Sequence, residues 1–155
     1  MTTTEDQKSQ KLTGQCLCGA IAYEIEGKLG LIVNCHCSKC RRWHGAAFRT
    51  RAAVASKQFR WLRGEECLSK YTDTTSHITK TFCSICGSNL ISYHVKQPEY
   101  IGFPLGGLEQ DPGARPIMNV FVGSKAPWYN ICDGLPQHDE WPPGGADAVR
   151  TAKNE

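Results

Sequence analysis

No apolar run in the chain approaches the roughly 20 residues that a membrane-spanning helix needs. The opening stretch MTTTEDQKSQK also lacks the apolar segment of a secretory signal. Neither sign of charge dominates: 18 lysines and arginines stand against 15 acidic residues, a net charge of +3. That balance offers neither the basic footprint of a nucleic-acid binder nor an acidic tail. There is no internal repeat and no low-complexity segment, which sets aside solenoids and disordered linkers. The expectation is a single domain in the cytoplasm, with no membrane and no nucleic acid as partner and an oligomeric state that the sequence does not specify.

What the chain does have is cysteine. Nine are present, an odd number and a high one for a compartment that keeps thiols reduced, so a disulfide framework does not explain them. Seven fall in short clusters: Cys16 and Cys18; Cys35, Cys37 and Cys40; Cys83 and Cys86. Side chains two apart in an extended strand point the same way, so Cys16 and Cys18 can serve one ion. Cys83-Ser84-Ile85-Cys86-Gly87 has the form of a zinc knuckle, a tight turn presenting two thiolates. Together the four make a closed tetrahedral site that ties the first strands to a hairpin far along the chain. A staple of that kind constrains the unfolded state.

The middle cluster supplies three sulfurs and leaves a tetrahedral zinc one ligand short, as a catalytic site requires. Three thiolates on a doubly charged ion leave a net charge of about −1, which Lys39, Arg41, Arg42, Arg49 and Arg51 are placed to offset. Either His36 or His44 could instead complete this cluster as a closed site of three cysteines and one histidine. A partition in which Cys16 and Cys18 close on two cysteines of the middle cluster strands Cys83 and Cys86 and is disfavoured. Cys67 and Cys132 stand alone and are expected as free, buried apolar residues. His77 and His94 are read as sheet residues rather than ligands. Trp43, Trp61, Trp128 and Trp141 are read as packing, with a pocket wall as the role open to one beside the middle metal.

Apolar residues mostly alternate, which predicts strands. Those expected run through Ile21, Tyr23 and Ile25, and over Leu31–Val33, Phe59–Leu62, Cys67–Thr72, His77–Phe82, Asn89–His94 and Tyr100–Phe103. One more passes through Ile117, Val120 and Val122, with a slip that suggests a bulge. A single short helix is predicted from an N-cap at Ser38 to His44, stopped by Gly45. Residues 1–12 and 144–155 are expected as flexible ends around a zinc-binding domain of residues 13–143.

The segments GQCLCGAIAYEI, NCHCSKCRRWHGAAF, RGEECLSKY, TFCSICGSNL and VFVGSKAPWYNICDGLPQHDEWPP, in this order, resemble the glutathione-dependent formaldehyde-activating enzyme (GFA) family, also called the centromere-protein-V family. The resemblance covers Gly14 to Pro143. It implies an all-β, β-tent fold of several small antiparallel sheets and two zinc ions per chain. By the same resemblance, Cys16, Cys18, Cys83 and Cys86 hold a structural zinc, and Cys35, Cys37 and Cys40 a catalytic one. The implied activity is that of a carbon–sulfur lyase joining glutathione and formaldehyde into S-hydroxymethylglutathione. Arg41, Arg42 and Arg49 are the candidate partners of the tripeptide carboxylates. Asn119 stands where relatives often carry histidine, so no role is transferred to it. The competing expectations are a zinc-stabilised protein-binding module, favoured by a closed middle site, and a zinc enzyme for another thiol or small electrophile.

Overall fold

The computed structural model describes residues 10–152; the first nine residues of the expected N-terminal segment lie outside them. The chain is all-β, as expected, with ten strands and two short α-helices among the described residues. The strands are β1 (Lys11–Gln15), β2 (Ala22–Glu26), β3 (Val33–Cys35), β4 (Arg49–Ala55), β5 (Phe59–Arg63), β6 (Leu68–Thr72), β7 (Ile78–Cys83), β8 (Asn89–His94), β9 (Gln97–Pro104) and β10 (Met118–Val120). Helix α1 spans Ser38–His44 and α2 spans Gly145–Thr151. A three-stranded sheet has the order β1-β2-β5 and a seven-stranded sheet the order β10-β3-β4-β9-β8-β7-β6. Every pairing is antiparallel except that of β10 with β3.

The main core forms between the two sheets. Leu12, Tyr23 and Ile25 of the smaller sheet meet Ala52, Val54, Leu90, Ile101 and Phe103 of the larger. Alternation along a strand then sends the intervening side chains to the opposite face. On β4 these are Arg49, Arg51 and Ala53, on β9 Tyr100 and Gly102, and on β7 Ile78 and Lys80, while on β8 an irregularity at Leu90 and Ile91, where the register with β7 shifts, brings Ser92 and His94 to this face. One face of the large sheet is therefore core, and the other is the floor of a cavity.

Helix α1 forms as predicted but starts from a different cap. Cys37, not Ser38, is the N-cap, its Sγ accepting from the Cys40 N–H at 3.3 Å. At the other end Gly45 adopts φ 59°, the left-handed conformation that lets the chain turn off the helix at no steric cost. The slip in the Ile117–Val122 pattern is a strand end rather than a bulge: after Val120 the chain turns through Phe121 at φ 56°. The stretch after Pro143, expected as a flexible tail, contains α2, whose Val149 is buried against Val33 and Val120 and whose backbone accepts from Leu31 N–H at 2.9 Å. None of the described helices is long and apolar enough to cross a membrane.

Candidate metal centres and active site

The sulfurs of Cys16, Cys18, Cys83 and Cys86 all lie within 4.8 Å of one another. Cys16 and Cys18 come from the turn after β1, Cys83 from the end of β7, and Cys86 from the knuckle that follows it. Two of the sulfur pairs measure 3.6 Å (Cys16–Cys18) and 3.9 Å (Cys18–Cys83). Zinc–sulfur bonds of about 2.3 Å in a regular tetrahedron put sulfurs ~3.8 Å apart, whereas a disulfide would bring them to ~2.05 Å. The donor set thus fits a tetrahedral metal and not a disulfide.

The sulfurs of Cys35, Cys37 and Cys40 form a second group within 4.8 Å of one another. Here β3 delivers Cys35, and the first turn of α1 delivers Cys37 and Cys40. As bare thiols the three compete for negative charge. Cys37 is drawn down to about 2 by hydrogen bonds first from Cys35 and then from Cys40, while the reciprocal contacts push Cys35 far up. Three sulfurs this close become three thiolates only with a cation among them, so the cluster is chemically suited to a metal.

Neither candidate histidine completes this group. Asn119 Nδ2 donates to both carboxylate oxygens of Asp133 at 3.1 Å, which turns its Oδ1 toward His36 Nε2 at 2.8 Å. A carboxylate only accepts, so the amide orientation is fixed and His36 Nε2 must carry the hydrogen. His36 is fully buried and packs on Phe48 and Tyr129, and its Nδ1 has no partner and lies outside the sulfur cluster. His44 turns away too: its Nδ1 meets Asn89 Nδ2 at 3.1 Å, and burial, then Arg49 and Lys80, lower its pKa to about 4.

The three cysteines open on a cavity of about 570 Å³. Its floor is the free face of the large sheet, and its roof comprises α1, Phe121, Trp141 and α2. Lys39, Arg49, Arg51, Lys80 and Arg150 line it, with no aspartate or glutamate among the described lining residues. Arg49 is the most enclosed cation, 5% exposed. Its Nη1 donates to Ser92 Oγ at 3.1 Å, its guanidinium lies 5.0 Å from the centre of the Trp43 ring, and its Nε and Nη2 have no partner. Burial, then Arg51, lower its pKa to about 10, which leaves it charged at neutral pH. Lys80 caps the same indole at 4.7 Å.

Of the arginines singled out from sequence, Arg49 and Arg51 reach the cavity. Arg41 and Arg42 do not line it: Arg41 Nε donates to the Ser124 carbonyl, and Arg42 is exposed, because successive helix positions fan outward from the cysteine face. Lys39 is on the rim, paired with Asp73. Sequence reading missed Lys80, Tyr93, Tyr100 and Arg150, which come from strands and a helix distant from the cysteine motif. Cys67 and Cys132 join neither cluster, as expected, but are half-buried and exposed respectively rather than buried.

Comparison with known proteins places these features in context. The family model described as glutathione-dependent formaldehyde-activating enzyme matches residues 11–124. That span holds all seven clustered cysteines and stops short of α2. Among solved structures, a crystal structure of a Rhodobacter sphaeroides protein is similar at 28% sequence identity with a TM-score of 0.51, over 67% of this chain and 91% of that chain.

Proposed function

The chain belongs to the glutathione-dependent formaldehyde-activating enzyme family, and we propose that it is a zinc-dependent carbon–sulfur lyase acting on a thiol adduct, with glutathione and formaldehyde as the pair. In this reading Cys16, Cys18, Cys83 and Cys86 hold a structural zinc, and Cys35, Cys37 and Cys40 hold the catalytic one, two ions per chain. The observation that carries it is the three-cysteine cluster, without a histidine to close it, opening on a cavity lined by cations. A closed middle site would instead have favoured a protein-binding module.

Cys35, Cys37 and Cys40 would hold a zinc ion, which would supply Lewis acidity able to favour the thiolate form of a substrate thiol. The remaining work falls to the protein. Arg49, held by Ser92 and Trp43, keeps a buried positive charge beside Cys35 and Cys40 that offsets the thiolates and favours an anionic substrate. Trp43, Phe121 and Trp141 form apolar walls that limit water around the reacting carbon. In the forward direction a sulfur–carbon bond forms at the aldehyde carbon, and the thiol proton ends on the aldehyde oxygen. In reverse that bond breaks.

Exchange spectroscopy on the zinc-loaded protein tests this reading. S-hydroxymethylglutathione is expected to form faster than without protein, and Cys37→Ser is expected to abolish the gain. No acceleration, with the zinc in place, would reject the assigned reaction.

A further inference from the structure

The cavity continues well past the cysteines, and its far end carries two guanidinium groups that the proposed chemistry does not use. In register, Arg49 opposes Cys35, whereas Ala53 opposes Gly102 and Ala55 opposes Tyr100. At about 3.4 Å per residue, the level of Gly102 lies ~14 Å along β4 from the cysteine end. Arg51 leans in that direction. Its Nη2 would sit 2.6 Å from a Cβ at position 102, so only a glycine there lets the guanidinium lie flat against β9. Arg150, from α2, stacks over Tyr100 at 4.9 Å. Tyr100 and Gly102 share one face of β9, so the two guanidinium groups lie over neighbouring same-face positions, ~7 Å apart along the strand. A carboxylate fits between groups so spaced, taking a charge-assisted hydrogen bond from each.

Both groups have unmet capacity. Arg51 Nε and Arg150 Nε are buried without a partner, and the acid that meets Arg150 is Asp147 on its exposed side, outside the cavity lining. Both side chains line the cavity, and no aspartate or glutamate is among its described lining residues, a setting in which paired guanidinium charge favours an anionic occupant. We propose that Arg51 and Arg150 form a carboxylate clamp remote from the cysteines, so that the site selects thiols bearing an anionic group many bonds away from sulfur. This rests on the reading of the cysteine end as a thiol site. It makes α2, which lies beyond the family match, a specificity element of this chain.

Calorimetry on the zinc-loaded protein with glutathione, S-methylglutathione and 2-mercaptoethanol separates the two ends of the cavity. Arg150→Gln is expected to weaken both tripeptides about tenfold while leaving 2-mercaptoethanol, which has no carboxylate, unchanged. Gly102→Ala keeps every charge but displaces Arg51, and should weaken the same two ligands. It also decides the matter should Arg150→Gln fail to fold. Arg150→Lys should restore part of the affinity, since it returns the charge without the fork. Unchanged tripeptide affinity in the folded variants, equal weakening of 2-mercaptoethanol, or a wild type that binds neither tripeptide overturns the clamp. Arg150-dependent binding of S-methylglutathione by a wild type that ignores 2-mercaptoethanol upholds the clamp and sinks the thiol reading of the cysteine end.

Discussion

Asn119 Oδ1 accepts a hydrogen bond from His36 Nε2 at 2.8 Å, and both side chains are buried behind the strand that carries Cys35. The contact joins β10 to β3 through side chains as well as through their parallel ladder. It extends to Asp133, which also accepts from Leu135 N–H at 3.0 Å. One amide therefore links the metal-bearing strand, its edge neighbour and the loop that covers them.

Asn119→Leu is expected to destabilise the fold, because it leaves the buried His36 ring with neither nitrogen paired. Losing one partner of a buried pair costs about 1–3 kcal/mol. Urea unfolding of the zinc-loaded protein measures this, and a variant as stable as the wild type would show that the network carries no net stability.

Cys83→Ser and Cys37→Ser should part company. Cys83 is fully buried and lies in the cluster that joins the β1–β2 turn to the β7–β8 knuckle, so its loss should cost the folded, soluble protein. Cys37→Ser should lose one zinc and keep the fold, since serine is itself a good N-cap for α1. Metal analysis with circular dichroism distinguishes them, and equal unfolding by both would defeat the division into a structural and a catalytic centre.

Alkylation of the native zinc-loaded protein should modify Cys132 first, Cys67 more slowly and the seven clustered cysteines last, following exposure and metal protection. Mass mapping that found Cys37 or Cys40 among the first sites would contradict a metal there.

Burial holds the pKa of His44 at about 4, below its ordinary 6.5. The unfolded chain therefore binds this proton first. The associated stability is fully present above 6.5 and is lost as pH falls toward 4. Comparison with His44→Gln isolates the effect from acid release of metal, which both proteins share. The stability difference between them should shift against the wild type as pH falls from about 7 to about 4.5. A difference that stays constant would show that His44 does not titrate in this range.

The sequence made the metal centres legible because ligand spacing is local: three residues along the first turn of α1 or within the knuckle, and two for Cys16 and Cys18, which share one ion from the turn after β1 rather than from the extended strand expected. It made β8 legible to the residue, since Leu90 and Ile91 sit in the core among polar neighbours. Strand β4, the central bearer of the site, was not foreseen. Its cavity-facing positions are Arg49 and Arg51 and its core-facing ones include the small Ala52, so the apolar alternation that reveals a strand is absent where the function lies. Helix α2 was missed for a related reason. Val149 is its one buried residue, too little to register as a periodic pattern, yet it anchors the helix that brings Arg150 to the cavity.

Whether the Cys35, Cys37 and Cys40 centre takes an external thiol is read from the proton balance of glutathione binding. Titration calorimetry of the zinc-loaded protein in buffers of different ionisation enthalpy reports it. Glutathione should release a proton on binding and bind more tightly than S-methylglutathione, with no release for the latter or for Cys37→Ser. Equal binding of the two ligands without proton release would contradict thiol binding at this centre.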